Sequence, residues 1–352
     1  MSEAKPDLEA LAAVSSQIGG DPDLVQGGGG NSSLKRGGVL WIKASGTWLA
    51  RAEREEIFVA LDLARLRRQI DAGMAEPTAG CFDAGAGRRP SIETTLHALM
   101  AHPVVLHSHA VNSIAWAVRR EPMAALEERL GGLAWALVPY RRPGLPLTEA
   151  VREVLAGGAA DVLILANHGL VVGADDAWGA ARLTHEVERS LGIRPRPAPA
   201  PETTQLAPFV DGGDWRLPGD PLVHAIATDP ACRRIAARGP LYPDHVVFLD
   251  AELPLLAPGE AVPAVLDRHL ARAGRRPAYL AVAGAGVVVA ADISPGAEEM
   301  LRCLARVLLR LPADAALNHL GAPEIAELVD WEAEQYRRSL DGAAENSKGE
   351  SE

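Results

Sequence analysis

The stretch HPVVLHSHAVNS, residues 102–113, sets the reading of the whole chain. Val104, Val105 and Leu106 begin a β-rich run that continues to Ala110, so a strand is expected there. Side chains alternate faces along a strand, so His107 and His109, two residues apart, point the same way. Two imidazoles on one face can chelate a divalent ion. A lone His-x-His pair also fits histidines that are only hydrogen-bonded, so the pair needs a third partner.

A second stretch, VLILANHGLVVG at residues 162–173, offers one. Val162 to Ala166 reads as a buried strand, His168 closes it, and Gly169 lets the chain turn beside it. Three neutral imidazoles around one ion leave a coordination position open, as catalytic zinc sites require. A third stretch, PSIETTLHAL at residues 90–99, predicts a helix from an N-cap at Ser91 to about Ala101. That places Glu93 in its first turn, where a carboxylate is favourable in any case.

Outward from these segments, apolar spacing predicts helices over residues 7–19, Leu147 to Leu155 and Trp178 to Leu191, with another beginning at Ile114 to Val118. Val39 to Lys43 reads as a short strand, and Glu56 to Ala72 as a strand leading into a basic helix. Gly27-Gly28-Gly29-Gly30 followed by Asn31-Ser32-Ser33 reads as a loop or tight turn. His97, His102 and His185 lie in or beside helical segments and read as structural or exposed. VAGAGVVVA, residues 282–290, lacks the full GxGxxG pattern and precedes a strand-like run, which argues against a dinucleotide loop.

The chain has 352 residues, 48% of them hydrophobic, enough for one large domain or two ordinary ones. A net charge of −11 argues against nucleic acid as a partner, because an extended footprint needs a basic face. Cys81, Cys232 and Cys303 are far apart and show no CxxC spacing, so a reducing compartment fits. No signal-type segment and no apolar run of membrane length is seen, so a cytoplasmic location without membrane attachment is expected. RPRPAPAPE, residues 194–202, is a stiff, Pro-rich linker and the best boundary in the chain. It separates a domain over residues 1–193 from a second over 203–340; the polar tail 341–352 reads as disordered.

Taken in order, GGNSS, KASGT, PSIE, HSHA and NHGLVVG resemble the class II aldolase/adducin family over about residues 8–193. That family includes fuculose-phosphate and rhamnulose-phosphate aldolases and ribulose-phosphate 4-epimerases. The resemblance implies a three-layer α/β fold with a mostly antiparallel central sheet, and a homo-oligomer, commonly a tetramer. It implies one divalent ion per chain, zinc first with manganese, cobalt or iron as alternatives, on His107, His109 and His168. Glu93 takes the place of the catalytic acid–base. Gly30, Asn31, Ser45, Gly46 and Ser91 match positions that hold the substrate's phosphate or other anionic end. The implied activity is that of an aldolase, a carbon–carbon lyase of carbohydrate metabolism, cleaving a small keto-sugar or its phosphate through a metal-stabilised enediolate. Epimerisation, dehydration or decarboxylation at the same site is the alternative. A non-enzymatic, adducin-like module is a further one, although such members lack the three histidines.

Two positions depart from the pattern. Ile92 stands where the aldolases usually have a second serine and cannot donate a hydrogen bond to phosphate. Lys43 could offset this with its charge, or be a plain solvated strand lysine. Glu128 stands where the aldolases place a tyrosine borrowed from a neighbouring subunit, so that role does not transfer, and Tyr140 nearby is assigned none.

Self-comparison suggests that the second domain is a degenerate duplication. VLILANHGLVVGAD, residues 162–175, aligns with YLAVAGAGVVVAAD, residues 279–292, and both lead into an apolar-periodic helix. HVVFLDAELPLL, residues 245–256, loosely echoes VLWIKASGTWLA, residues 39–50. His168 meets Ala285 and no His-x-His precedes it in the second half, so that copy is expected to lack the metal site.

Overall fold

The computed structural model describes residues 8–329, which divide into two compact units. The first holds the chain up to Ala117 together with Glu121–Gly192; the second holds Val118–Arg120 and the chain from Ile193 onward. Residues 330–340 of the expected second domain, and the tail 341–352, lie outside the described residues.

In the first unit, α1 (Glu9–Gly19) turns Leu11, Val14 and Ile18 inward. The glycine run ends at Gly30, whose φ of +59° is left-handed. There β1 (Asn31–Arg36) begins, pairing antiparallel with β2 (Val39–Lys43). The expected loop at Asn31-Ser32-Ser33 is therefore strand. Asn31–Leu34 lies beside His107–Val104, and that long-range pairing overrides the turn chemistry of Asn and Ser. β3 (Phe58–Asp62) leads into α2 (Leu63–Asp71), where Asp62 Oδ1 caps the Arg65 amide at 2.8 Å. Next come α3 (Thr94–Leu99), β4 (Val104–Ser108), α4 (Val111–Ala117), α5 (Met123–Leu130) and β5 (Trp135–Val138). α6 (Leu145–Ala156), β6 (Val162–Leu165), β7 (Gly169–Ala174) and α7 (Ala177–Ser190) complete the unit. α3 starts at Thr94, not at Ser91, because the Thr94 amide is taken by the Ser91 carbonyl in a preceding turn.

The strands form one sheet in the order β3-β2-β1-β4-β7-β6-β5, antiparallel except for β5 and β6. β4 lies at its centre and is buried along its whole length, which accounts for the Val-Val-Leu run. On one face, α2, α3 and α6 cover the sheet: Leu66 and Ile70 pack on Leu40, Ile42 and Leu61, and Leu96, Leu147 and Val151 pack on Val105, Leu163 and Val171. α1, α4 and α7 pack against β1, β4 and β7 on the other face. This is the three-layer α/β arrangement with a mostly antiparallel sheet that the motifs implied.

The second unit contains α8 (Thr203–Val210), β8 (Trp215–Arg216), a 3₁₀ turn (Pro221–His224), α9 (Ala225–Thr228), α10 (Pro230–Ala236) and α11 (Pro243–Leu249). β9 (Leu255–Leu256), α12 (Val262–Ala273), β10 (Tyr279–Val282), β11 (Gly286–Ala290), α13 (Pro295–Arg310) and α14 (Ala322–Val329) follow. Its sheet runs β8-β11-β10-β9, with β8 and β10 antiparallel to β11 and β9 parallel to β10. These are the relations among β4, β7, β6 and β5 in the first unit. Leu165 opposite Gly169 closes one hairpin and Val282 opposite Gly286 the other. Leu106 lies opposite Val172, and Arg216 opposite Val289, each three residues past the hairpin glycine. Glu93-Thr94-Thr95 opens α3 before β4, and Glu202-Thr203-Thr204 opens α8 before β8. By this correspondence Leu217, Gly219 and Ala285 stand at the positions of His107, His109 and His168.

The echo proposed between residues 245–256 and 39–50 fails. Pro243–Leu249 is helix, buried on every side, whereas Val39–Lys43 is strand. A short apolar run buried all round has no periodicity to separate the two.

Candidate functional site

The first unit brings all four chemistry-bearing residues to one end of its sheet. His107 lies on β4, facing the same side as Val105, and His109 follows the strand's last residue. His168 sits in the turn between β6 and β7, where Asn167 takes a left-handed φ of 52°. Gly169 allows β7 to press against β4, since a Cβ there would meet the Ser108 carbonyl oxygen. His107 Nε2 is 3.1 Å from His109 Nε2, and ligand atoms of all three histidines lie within 4.8 Å of one another. Glu93 completes the group, with Oε2 at 3.3 Å from His107 Nε2 and Oε1 at 3.4 Å from His168 Nε2. All four side chains are buried.

The donor set fits a divalent cation. The Leu170 carbonyl can only accept, so His107 donates Nδ1–H to it at 3.0 Å and leaves Nε2 bare and facing the cluster. Ligands about 2.0–2.1 Å from a tetrahedral ion stand about 3.3–3.4 Å apart; His107 and His109 are at 3.1 Å, and all three ligand atoms lie within 4.8 Å of one another, so the triad can converge on one ion. Burial pushes the Glu93 carboxyl upward, but the facing His107 and His168 and a hydrogen bond from Asn31 outweigh it, and its pKa falls to about 2.

The residues matched to the substrate's anionic end adjoin this cluster. Asn31 Nδ2 donates to Glu93 Oε2 at 2.7 Å and to Ser91 Oγ at 3.2 Å. A Cβ on Gly30 would meet the His107 carbonyl at 2.8 Å, and one on Gly29 would meet His109 Nδ1 at 2.9 Å. Gly46, at φ +76°, lies by the Gly28 backbone. The Ser45 amide donates to the Arg89 carbonyl at 2.9 Å. Lys43 is not a solvated strand lysine: it is buried, and its Nζ donates to the Gly28 carbonyl at 2.9 Å.

Several supporting residues escaped the motif reading. Gln26 is buried beside the glycine run and donates to the His109 carbonyl at 3.4 Å. Glu188, on α7, accepts from the Asn112 amide at 3.2 Å and the Ser113 amide at 2.9 Å, capping α4 just after His109. Burial raises the Glu188 pKa, opposed by its bonds from Ser113 and Asn112. His97, read as structural or exposed, is fully buried and holds Ser33 Oγ at 2.7 Å through Nδ1. Burial, with nearby Lys35 adding to it, lowers the His97 pKa to about 3, so the ring is neutral. Only its position four residues after Glu93 could have drawn attention to it. His102 pairs with Asp161 at 2.8 Å, away from the cluster.

The family model for the Class II Aldolase and Adducin N-terminal domain matches residues 9–194, and the chain belongs to that family. A curated relative, the "Uncharacterized oxidoreductase YuxG" of Bacillus subtilis (strain 168), is 34% identical over 190 residues. The match takes in 49% of this chain and 26% of that protein, so the chain spans about a quarter of the length of the curated relative it matches. Similar solved structures include the N-terminal class II aldolase domain of a conserved protein from Thermoplasma acidophilum, 25% identical with a TM-score of 0.46, covering 54% of this chain and 94% of that one. An L-fuculose 1-phosphate aldolase is 19% identical with a TM-score of 0.41, covering 62% and 90%. The family assignment rests on the match over residues 9–194. Among the described residues, no helix is long and apolar enough to cross a membrane.

Proposed function

We propose that the chain is a metal-dependent aldolase, a carbon–carbon lyase acting on a small keto-sugar or keto-sugar phosphate. The observation behind this is the convergence of three buried imidazoles and one buried carboxylate at 3.1–3.4 Å. His107, His109 and His168 would hold one divalent ion, zinc in the first instance, with manganese, cobalt or iron as alternatives. When bound, the ion supplies Lewis acidity to the oxygen on which negative charge develops. Glu93, ionised and oriented by Asn31, takes the proton from the substrate hydroxyl beside the bond that breaks. The electron pair of that bond moves toward the carbonyl, an aldehyde leaves, and return of the proton to the enediolate carbon completes the cleavage. Gly30, Asn31, Ser45, Gly46 and Ser91 form the end that receives the anionic or hydroxyl-bearing tail, with buried Lys43 beside them supplying positive charge. Metal analysis of the purified chain, then a screen of keto-sugars and their phosphates for aldehyde release, tests the reading. A chain that binds no divalent ion, or binds it equally well after His168→Ala, overturns it.

The same residues would serve epimerisation, dehydration or decarboxylation, a second reading favoured by Glu128 standing where the aldolases place their tyrosine. In either case the protein works as a soluble, cytoplasmic homo-oligomer, a tetramer by resemblance, with no nucleic-acid partner. The expected second domain, residues 203–340 after the Pro-rich stretch 194–202, is a degenerate and catalytically silent copy; its described part, 203–329, lies in the second unit. Its matching strand order and the repeated Glu-Thr-Thr support this. With Leu217, Gly219 and Ala285 at the ligand positions, it offers no donor at those three places.

A further inference from the structure

Glu93 is the last residue before α3, and a six-residue helix is too short to fix its own position. Along β1, Asn31, Ser33 and Lys35 share the face that meets α3, and each bonds to it. Asn31 Nδ2 donates to Glu93 Oε2 at 2.7 Å, Ser33 Oγ pairs with His97 Nδ1 at 2.7 Å, and Lys35 Nζ donates to the His97 carbonyl at 2.7 Å. The seam sets α3 against the strand whose neighbour, β4, carries His107.

The second unit supplies an internal comparison. Glu202-Thr203-Thr204-Gln205-Leu206 opens α8 as Glu93-Thr94-Thr95-Leu96-His97 opens α3. Leu206 stands at the position of His97, and both are fully buried. Leu206 packs with Leu280, Ala285 and Val288, while Glu202 is exposed. An apolar side chain therefore satisfies packing at this place, where no counterpart of β1 exists among the described residues. The imidazole adds two buried nitrogens; Nε2 makes no hydrogen bond among the described residues, and Nδ1 pairs with Ser33 Oγ, the bond that ties α3 to β1.

We infer that His97 is a positioning residue for Glu93, acting through the Ser33–His97 bond to hold the carboxylate against His107 and His168. This rests on the reading of Glu93 as acid–base. A displacement of about 1 Å at a reacting group can cost about a hundredfold in rate, so loss of the bond is expected to lower kcat about 10- to 100-fold. KM and metal stoichiometry should change little.

The test uses the full chain loaded with Co²⁺, comparing His97→Leu, His97→Gln and Ser33→Ala with Glu93→Gln. For each, Co²⁺ stoichiometry, the visible Co²⁺ spectrum, thermal midpoint, and kcat and KM on the substrate found by the aldehyde screen are recorded. His97→Leu is expected to fold, to keep one Co²⁺, to shift the spectrum in the direction of Glu93→Gln, and to lose kcat with KM within about threefold. His97→Gln, which keeps an acceptor for Ser33, should recover part of the loss, and Ser33→Ala should lose it without touching the ring. If His97→Leu does not fold, Ser33→Ala and His97→Gln decide the matter by the same readouts. Wild-type spectrum and kcat in these variants, while Glu93→Gln is impaired, overturn the positioning role alone. A rate loss that follows loss of Co²⁺ overturns it as well. A fully active Glu93→Gln overturns the acid–base reading and the positioning role together.

Discussion

Replacing Gly169 by Ala adds one methyl group where β7, just after His168, presses on β4. Its Cβ would fall on the Ser108 carbonyl oxygen, with the His109 Cα at 3.4 Å. Relief requires β4 and β7 to separate by about 1 Å, because a backbone carbonyl in a paired strand has no rotamer to change. Overpacking of this kind costs about 1–3 kcal/mol. The separation also moves His107 and His109 away from His168, so most of the cost should appear as weakened metal binding, about ten- to a hundredfold at 1.4 kcal/mol per tenfold. Competition of the full chain with a chromophoric chelator for Zn²⁺ reads the affinity. Gly173→Ala is the control, since its Cβ would meet the side chain of His102 farther along β7, away from the cluster. Unchanged affinity in Gly169→Ala, or an equal loss in Gly173→Ala, would refute the reasoning.

Glu93→Gln should keep one divalent ion per chain and lose about 10²–10⁴-fold in turnover, measured by metal analysis and aldehyde release. Excess Zn²⁺ should raise the thermal midpoint of the wild type, by about 2.7 kcal/mol of stability at a hundred times Kd, and should do nothing for His107→Ala. His245 is buried in the second unit, and burial, followed by the nearby His319, lowers its pKa to about 4. The unfolded chain then binds the extra proton first, so stability falls as pH drops from about 6.5 toward about 4. Urea midpoints across that window should fall, and less steeply in His245→Gln. Total metal should be one ion per chain and zero in His168→Ala; a second ion surviving that change would show that the second unit is not silent.

The central strands and the histidine pair were legible because β4 is buried on both faces and ends in a spaced donor pattern. α7 was legible through its amphipathic spacing, and α2 as the basic helix after a strand. β1 was not: its first three residues are turn formers, and only β4, about 70 residues later, makes them a strand. α11 was misread for the opposite reason, since burial on all sides removes the polar positions that reveal a helical period. At the site, motif order placed His107, His109, His168 and Glu93 together. Nothing in sequence spacing joins Ser33 to His97, or Glu188 to Asn112 and Ser113, because those bonds cross from one layer to the next.

The adjacency of β4 and β7 also bears on how the chain matures. His109 and His168 are roughly 60 residues apart in sequence, and they meet only once the intervening chain, with β5, α6 and β6, has looped out and β7 has paired with β4. A newly made or refolding chain therefore offers only the local His107–His109 pair, and the three-histidine site that holds the ion firmly forms after β7 has paired with β4. Metal uptake would then report completed folding, and chelators present during refolding should leave the folding rate unchanged while preventing loading.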